Sequence, residues 1–242
     1  NRPDDYPTFF AFIKDYQRKS CRMNELGTIS THNSVIKKIV CYNPELHFDD
    51  ITTDWLDEYY AYLRKDLNNV ENTAYKNMST IRKYVRAAYK AGYMDEYPFE
   101  NWHIKRTRAN YTYLTEEELN QFIEIYRGGH ISEKHYKTLE LFIFMCFSSL
   151  HVRDARSLKL EQFSDQTFTY FRLKNRNSKP EPILVPISDA LRQLLVNIVG
   201  FRHQGYIFTN LPADQTMNRY LKEMAKELGI AKDISHKTGR HT

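Results

Sequence analysis

A chain of 242 residues, 41% of them hydrophobic, is long enough for one large domain or two ordinary ones and apolar enough for a packed core, which excludes wholesale disorder. No stretch approaches the roughly 18 consecutive apolar residues of a membrane span, so no membrane partner is expected. A net charge of +5 and a pI near 8.9 admit an anionic partner without requiring one.

The opening Asn1-Arg2-Pro3-Asp4-Asp5 is neither a signal peptide nor an initiator methionine, and the chain reads as a piece of something longer. Cys21, Cys41 and Cys146 have no paired spacing and no histidine at ligand intervals. They read as reduced, mostly buried thiols of a cytoplasmic protein rather than as a disulfide framework or a metal site.

In chain order, the first hundred residues carry helical periodicity. Phe9, Phe10, Ile13 and Tyr16 make one apolar stripe, followed by polar Arg18-Lys19-Ser20 and by Gly27 as a breaker. A second helix is predicted from about Thr28 to Cys41, with Val35, Ile36, Ile39 and Val40 inward. Thr53 is expected to cap a third, whose core face is Trp55, Leu56, Tyr59, Tyr60 and Leu63. A fourth, from about Asn72 to Ala91, ends at Gly92 and turns Met78, Ile81, Val85 and Ala88 inward. Together these predict a four-helix bundle domain over residues 1–100.

Residues 101–113 read as a basic, aperiodic linker, and 114–242 as a second domain, incomplete at its C-terminal end. Thr115-Glu116-Glu117-Glu118 opens that domain as a capping box, and a strongly apolar helix follows from about Lys134 to Phe147. The period then shortens to two. Thr167–Leu173 alternates as a strand, Ile183–Ile187 reads as its partner, and the intervening Lys174–Pro180 is turn-like, which makes a hairpin. Helices resume at Asp189–Val199 and Asp214–Leu228. The fold class expected is mainly α with a small antiparallel hairpin.

Two features carry chemistry. The predicted fourth helix bears Lys76, Arg82, Lys83, Arg86 and Lys90 opposite its apolar stripe, and Lys105, Arg106 and Arg108 continue that charge into the linker. Such a face suits duplex phosphates, although an ordinary solvated helix face is the bland alternative. The second domain holds Ser149-Leu150-His151-Val152-Arg153-Asp154, the lysines Lys174 and Lys179 in the hairpin, and a terminal His236-Lys237-Thr238-Gly239-Arg240-His241-Thr242.

An apolar helix, a short Gly-Leu-Arg-x-x-Asp/Glu-type helix, a lysine-bearing hairpin and a His/Lys-x-x-Arg-His-Thr box, in that order, resemble the catalytic domain of the tyrosine site-specific recombinases. The preceding bundle is similar to that family's SAM-like core-binding domain. The resemblance covers nearly the whole chain. It implies site-specific recombination or integration of double-stranded DNA, with strand cleavage through a 3′-phosphotyrosyl intermediate, no metal and no cofactor. It further implies a tetramer on DNA during synapsis and a monomer without DNA.

Metal-free cleavage of a phosphodiester needs cations to neutralise the phosphorane oxygens, and a guanidinium fork does this well. Arg240 matches the family's second arginine. The resemblance implies a hairpin lysine that protonates the leaving 5′ oxygen; Lys174 stands where it is expected, with Lys179 as the alternative. Counting three residues back from Arg240 gives Lys237 as the His/Lys position, and His236, four back, shares the same helix face.

The sequence departs from the pattern at the first arginine, where His151 stands. Either His151 donates in its place, without a fork, or Arg153 reaches in from two positions along. Asp154 matches the motif's acidic residue and is expected to orient its neighbours, and His241 to pack. The family's nucleophilic tyrosine lies beyond the Arg-His box, and no tyrosine of this chain does. The histidine at position 151 is the feature that favours the alternative, a catalytically degenerate DNA-binding relative. A metal-dependent nuclease would need gathered carboxylates; Asp49, Asp50 and Asp54 cluster, but beside a helix start, where capping explains them.

Overall fold

The computed structural model describes residues 6–20, 26–104, 106–108, 110–175 and 181–242. The chain divides into two compact units, Asn1–Ala109 and Asn110–Thr242. By class it is mainly helical with one two-stranded antiparallel sheet, as the periodicities predict. Among the described residues no helix is long and apolar enough to cross a membrane.

The first unit is built on α1 (Phe9–Ser20), α2 (Leu26–Tyr42), α3 (Thr53–Lys65) and α4 (Glu71–Lys90). Its core joins Phe9, Phe12 and Ile13 of α1 to Val35 and Ile39 of α2, to Trp55, Leu56, Tyr59 and Leu63 of α3, and to Met78, Ile81, Val85 and Ala88 of α4. Three local expectations are corrected. Gly27 does not break the chain but lies inside α2, whose start precedes it. The cap of α3 is Thr52, whose hydroxyl accepts from Trp55 N at 3.2 Å, one residue earlier than expected. Val40 is 39% exposed because the buried stripe of α2 runs through Val35 and Ile39, and the next turn has left it.

The stretch after α4 is not all linker. Trp102 is buried in this unit's core, and its indole N–H donates to Asp57 Oδ1 at 2.7 Å.

The second unit comprises α5 (Glu116–Gly128), α6 (Glu133–Ser148), α7 (Val152–Arg156), β1 (Thr167–Phe171), β2 (Pro182–Pro186), α8 (Asp189–Val199), α9 (Asp214–Glu227) and α10 (His236–His241). The Thr115–Glu118 capping box opens α5 with both of its hydrogen bonds formed. Helix α6, capped by Ser132, is buried almost all round, from Leu139 through Cys146. It is the axis against which α5, α8, α9 and α10 pack. Burial in that helix raises the Cys146 thiol to about 12; Cys41, by contrast, is exposed.

The strands pair with Phe168 opposite Val185 and Tyr170 opposite Ile183. β1 ends at Phe171, two residues short of the alternating pattern, and residues 173–175 coil into a 3-10 turn. The cause is a tertiary hydrogen bond: the Leu173 backbone N–H donates to Asp154 Oδ1 at 3.0 Å rather than to a ladder partner.

Candidate functional site

Three segments of the second unit meet at His151. This residue is the N-cap of α7 and half-buried, and α6 leads into it through Ser149, whose φ of 54° turns the chain sharply. Arg172, just past β1, donates through Nη2 to His151 Nε2 at 3.0 Å. Arg240, on α10, brings Nη1 to 3.1 Å from Nδ1 and into contact with Nε2 of the same ring. Both guanidiniums thus meet the imidazole at Nε2.

Each arm is fixed by a particular device. Asp154 is 2% exposed, and its bond to Leu173 N ties the post-β1 turn to α7, which sets the positions of Arg172 and Lys174. α10 reaches the site because residue 239 is glycine: a Cβ there would lie 3.2 Å from the Phe142 ring and from its carbonyl oxygen on α6. At the start of α10 the Ser235 N–H donates to Thr238 Oγ1 at 3.1 Å, and Thr242 Oγ1 donates to Thr238 O at 3.0 Å.

The electrostatics follow from this convergence. His151 is held below the ordinary histidine range by burial first, then by Arg240, Arg172 and Lys174, with Asp154 opposing them. Around neutral pH the ring is therefore uncharged, with one acceptor nitrogen for the two arginines, both of which reach Nε2. Neither Arg172 nor Arg240 forms an ion pair among the described residues, although Arg156 pairs with Asp214 at 3.1 Å and Lys232 with Glu118 at 2.5 Å in the same unit. Tyr170 is half-buried beside them. Burial and Asp154 push its phenol up and the two arginines pull it down.

The residues singled out in the sequence divide accordingly. His151, Arg240, Asp154 and, through its field, Lys174 are brought together. Arg153 is exposed on α7, and the charges acting on His151 are those of other residues. Lys237 is exposed, and its field acts on His236. His236 faces α9, with its backbone N–H donating to Asn218 Oδ1 at 2.9 Å and its Nδ1 buried without a hydrogen-bond partner. Burial lowers its pKa, Asp214 partly offsetting this. His241 lies against Tyr111, with ring centroids 4.4 Å apart. Lys179 lies outside the described residues. Arg172 was missed: its one sequence signal is a cation closing an alternating strand two residues before the hairpin lysine.

The first unit carries the second feature. Arg82, Lys83, Arg86 and Lys90 line one shallow groove of about 400 Å³ with Tyr16 and Ser79. Arg82 is anchored, donating to the Trp102 carbonyl at 2.9 Å with its guanidinium 5.0 Å from the Phe99 ring centre. Arg86 and Lys90 are exposed, as are Lys76 on the same helix and Arg106 and Arg108 after it; Lys105 lies outside the described residues. Below the groove, Gln17 donates to the Tyr84 hydroxyl at 2.9 Å, and that hydroxyl bonds His32 Nδ1 at 2.7 Å. Burial and Lys83 lower the His32 pKa. Among the described residues no group of three or more His, Cys, Asp or Glu is disposed to hold a metal ion. Asp50 caps locally, accepting from His47 N at 2.8 Å.

Residues 8–104 match the phage integrase SAM-like domain family. No curated protein sequence matches the chain. Among solved structures, a lambda integrase dimer bound to a COC′ core site superposes with a TM-score of 0.77 at 16% identity, covering 97% of this chain and 87% of the other. A lambda integrase tetramer bound to a Holliday junction gives 0.76 at 16% identity, over 98% and 69%. The Tn1549 transposon integrase in complex with circular intermediate DNA gives 0.77 at 13% identity, over 98% and 85%.

Proposed function

We infer that this chain, with its phage integrase SAM-like domain and its tyrosine-recombinase fold, is the DNA-handling core of a site-specific recombinase. The observation that carries the reading is the convergence of His151, Arg240 and Lys174 from three separate segments on one small region of the second unit, with arginines that have no anionic partner of their own there.

In this reading the groove on α4 takes duplex phosphates and the His151 region takes the scissile phosphodiester. A tyrosine oxygen attacks phosphorus, forming a 3′-phosphotyrosyl bond, and the 5′ oxygen leaves with a proton from Lys174. Arg240 neutralises the charge that accumulates on the non-bridging oxygens. Because the phosphotyrosyl link conserves the energy of the broken bond, religation by an incoming 5′ hydroxyl needs neither nucleotide hydrolysis nor a cofactor. Lys237, or else His236 beside it on the same short helix, supplies the remaining proton or hydrogen-bond function. Four copies on two duplexes, as in the lambda integrase assembly on a Holliday junction, complete the exchange.

The family pattern puts the nucleophile C-terminal to the Arg-His box, so cleavage is assayed on a polypeptide that continues past Thr242. A duplex nicked beside the crossover should trap a denaturant-resistant protein–DNA adduct that survives EDTA. Duplex binding without any adduct would favour the degenerate accessory relative, a reading to which the histidine at position 151 gives specific support. Cleavage abolished by EDTA would favour a metal-dependent nuclease.

A further inference from the structure

We propose that Arg172 supplies the second guanidinium of the phosphate site, in place of the arginine that the family pattern expects at position 151, and that it grips the same phosphodiester as Arg240 beside the His151 ring. The inference rests on the recombinase reading for the identity of its ligand, and on the geometry for everything else.

Two permanently charged side chains converge on one imidazole: Arg172 Nη2 lies 3.0 Å from Nε2, and Arg240 Nη1 contacts Nε2 and lies 3.1 Å from Nδ1. Like charges so placed repel, and no carboxylate among the described residues pairs with either. A fold usually separates such groups or places an acid between them. Here it does the reverse: the buried carboxylate of Asp154 is used on a backbone N–H, and that bond holds the segment bearing Arg172 in place.

A phosphodiester monoanion has two non-bridging oxygens, and two guanidinium forks on either side of it match both. The imidazole beside them, uncharged, offers its one acceptor nitrogen to both guanidiniums and adds no third positive charge. Arg153 does not fit this role. It is exposed on α7 and is not among the charges that act on His151. Replacing the fork that a helix would have carried by one at the end of a strand preserves the chemistry, since only the position of the guanidinium matters to the phosphate.

Two measurements test this separately from the recombinase reading. In the first, the 242-residue chain is titrated with inorganic phosphate while the His151 imidazole resonance, assigned with H151Q, is followed by NMR. A saturable shift is expected in the wild type. Arg172→Gln should weaken phosphate binding tenfold or more, Arg172→Lys should fall between, and Arg153→Gln should match the wild type, none with a lowered melting temperature. Wild-type phosphate affinity in R172Q, or no saturable shift in the wild type, would overturn the proposal.

In the second, the polypeptide continuing past Thr242 is assayed on the nicked duplex. R172Q should form adduct on the order of a hundredfold more slowly while binding the duplex within a few-fold of wild type. Wild-type adduct undiminished in R172Q sinks the role of Arg172 alone. No adduct even from the wild type sinks the recombinase reading, and the phosphate titration still decides Arg172.

Discussion

Truncating Asp154 to alanine isolates the bond on which the hairpin side of the site depends. The carboxylate is 2% exposed and accepts the Leu173 N–H at 3.0 Å. Losing a hydrogen bond to a charged group costs about 1.5–3 kcal/mol. Since about 1.4 kcal/mol is a factor of ten, the turn at 173–175 should open about ten- to a hundredfold more often. Asp154→Asn keeps an acceptor oxygen of the same shape, so it should lose only about 1 kcal/mol. It should also lower the His151 pKa further, because Asp154 is the group that raises it. Urea unfolding gives the global figure, amide exchange at Leu173 the local one, and the His151 imidazole titration the charge effect. Asp154→Ala within about 0.5 kcal/mol of wild type, with unchanged exchange at Leu173, would refute the argument.

Ser149 occupies the left-handed region at φ 54°, where an L-residue is strained by about 1–2 kcal/mol. Ser149→Gly should therefore raise stability by about 0.5–1 kcal/mol in thermal unfolding, after the greater freedom of glycine in the unfolded chain is deducted. His32, His151 and His236 all have pKa values lowered from 6.5, by burial foremost. The folded chain binds fewer protons than the unfolded one as pH drops below about 6.5, so stability should be complete above that value and decline below it. Urea midpoints compared between about pH 7.5 and about pH 5.5 measure this, and a flat profile would contradict it. Arg86→Ala should weaken duplex binding and reduce the salt slope by about one without altering the melting temperature. Arg82→Ala should in addition destabilise the fold by about 1–3 kcal/mol, because Arg82 also holds the Trp102 carbonyl.

What was legible in the sequence was what is local. The Thr115–Glu118 capping box, the core stripe of α4 and the Asp189–Val199 helix depend on residues three or four apart, and the structure contains each as expected. The end of β1 was not legible, because its alternation continues to Leu173 and only a carboxylate 19 residues upstream stops the ladder. Gly27 misled for a related reason: packing of α2 through Val35 and Ile39 outweighs the helix propensity of one residue. Of the residues that meet at His151, Arg240 and His151 itself stood out in the sequence because the box and the short helix have recognisable spacing. Arg172 was hidden because its partner lies 21 residues away, across a turn, where no periodicity connects the two.

Two permanent cations sharing one uncharged ring leave the second unit under internal tension, since folding has to work against their repulsion. Added electrolyte should relax that corner where it would loosen an ordinary ion pair, and oxyanions that lodge between the arginines should relax it most. The protein should accordingly be firmest in sulfate- or phosphate-containing buffers, which makes the choice of storage salt a direct readout of how the arginine pair is held.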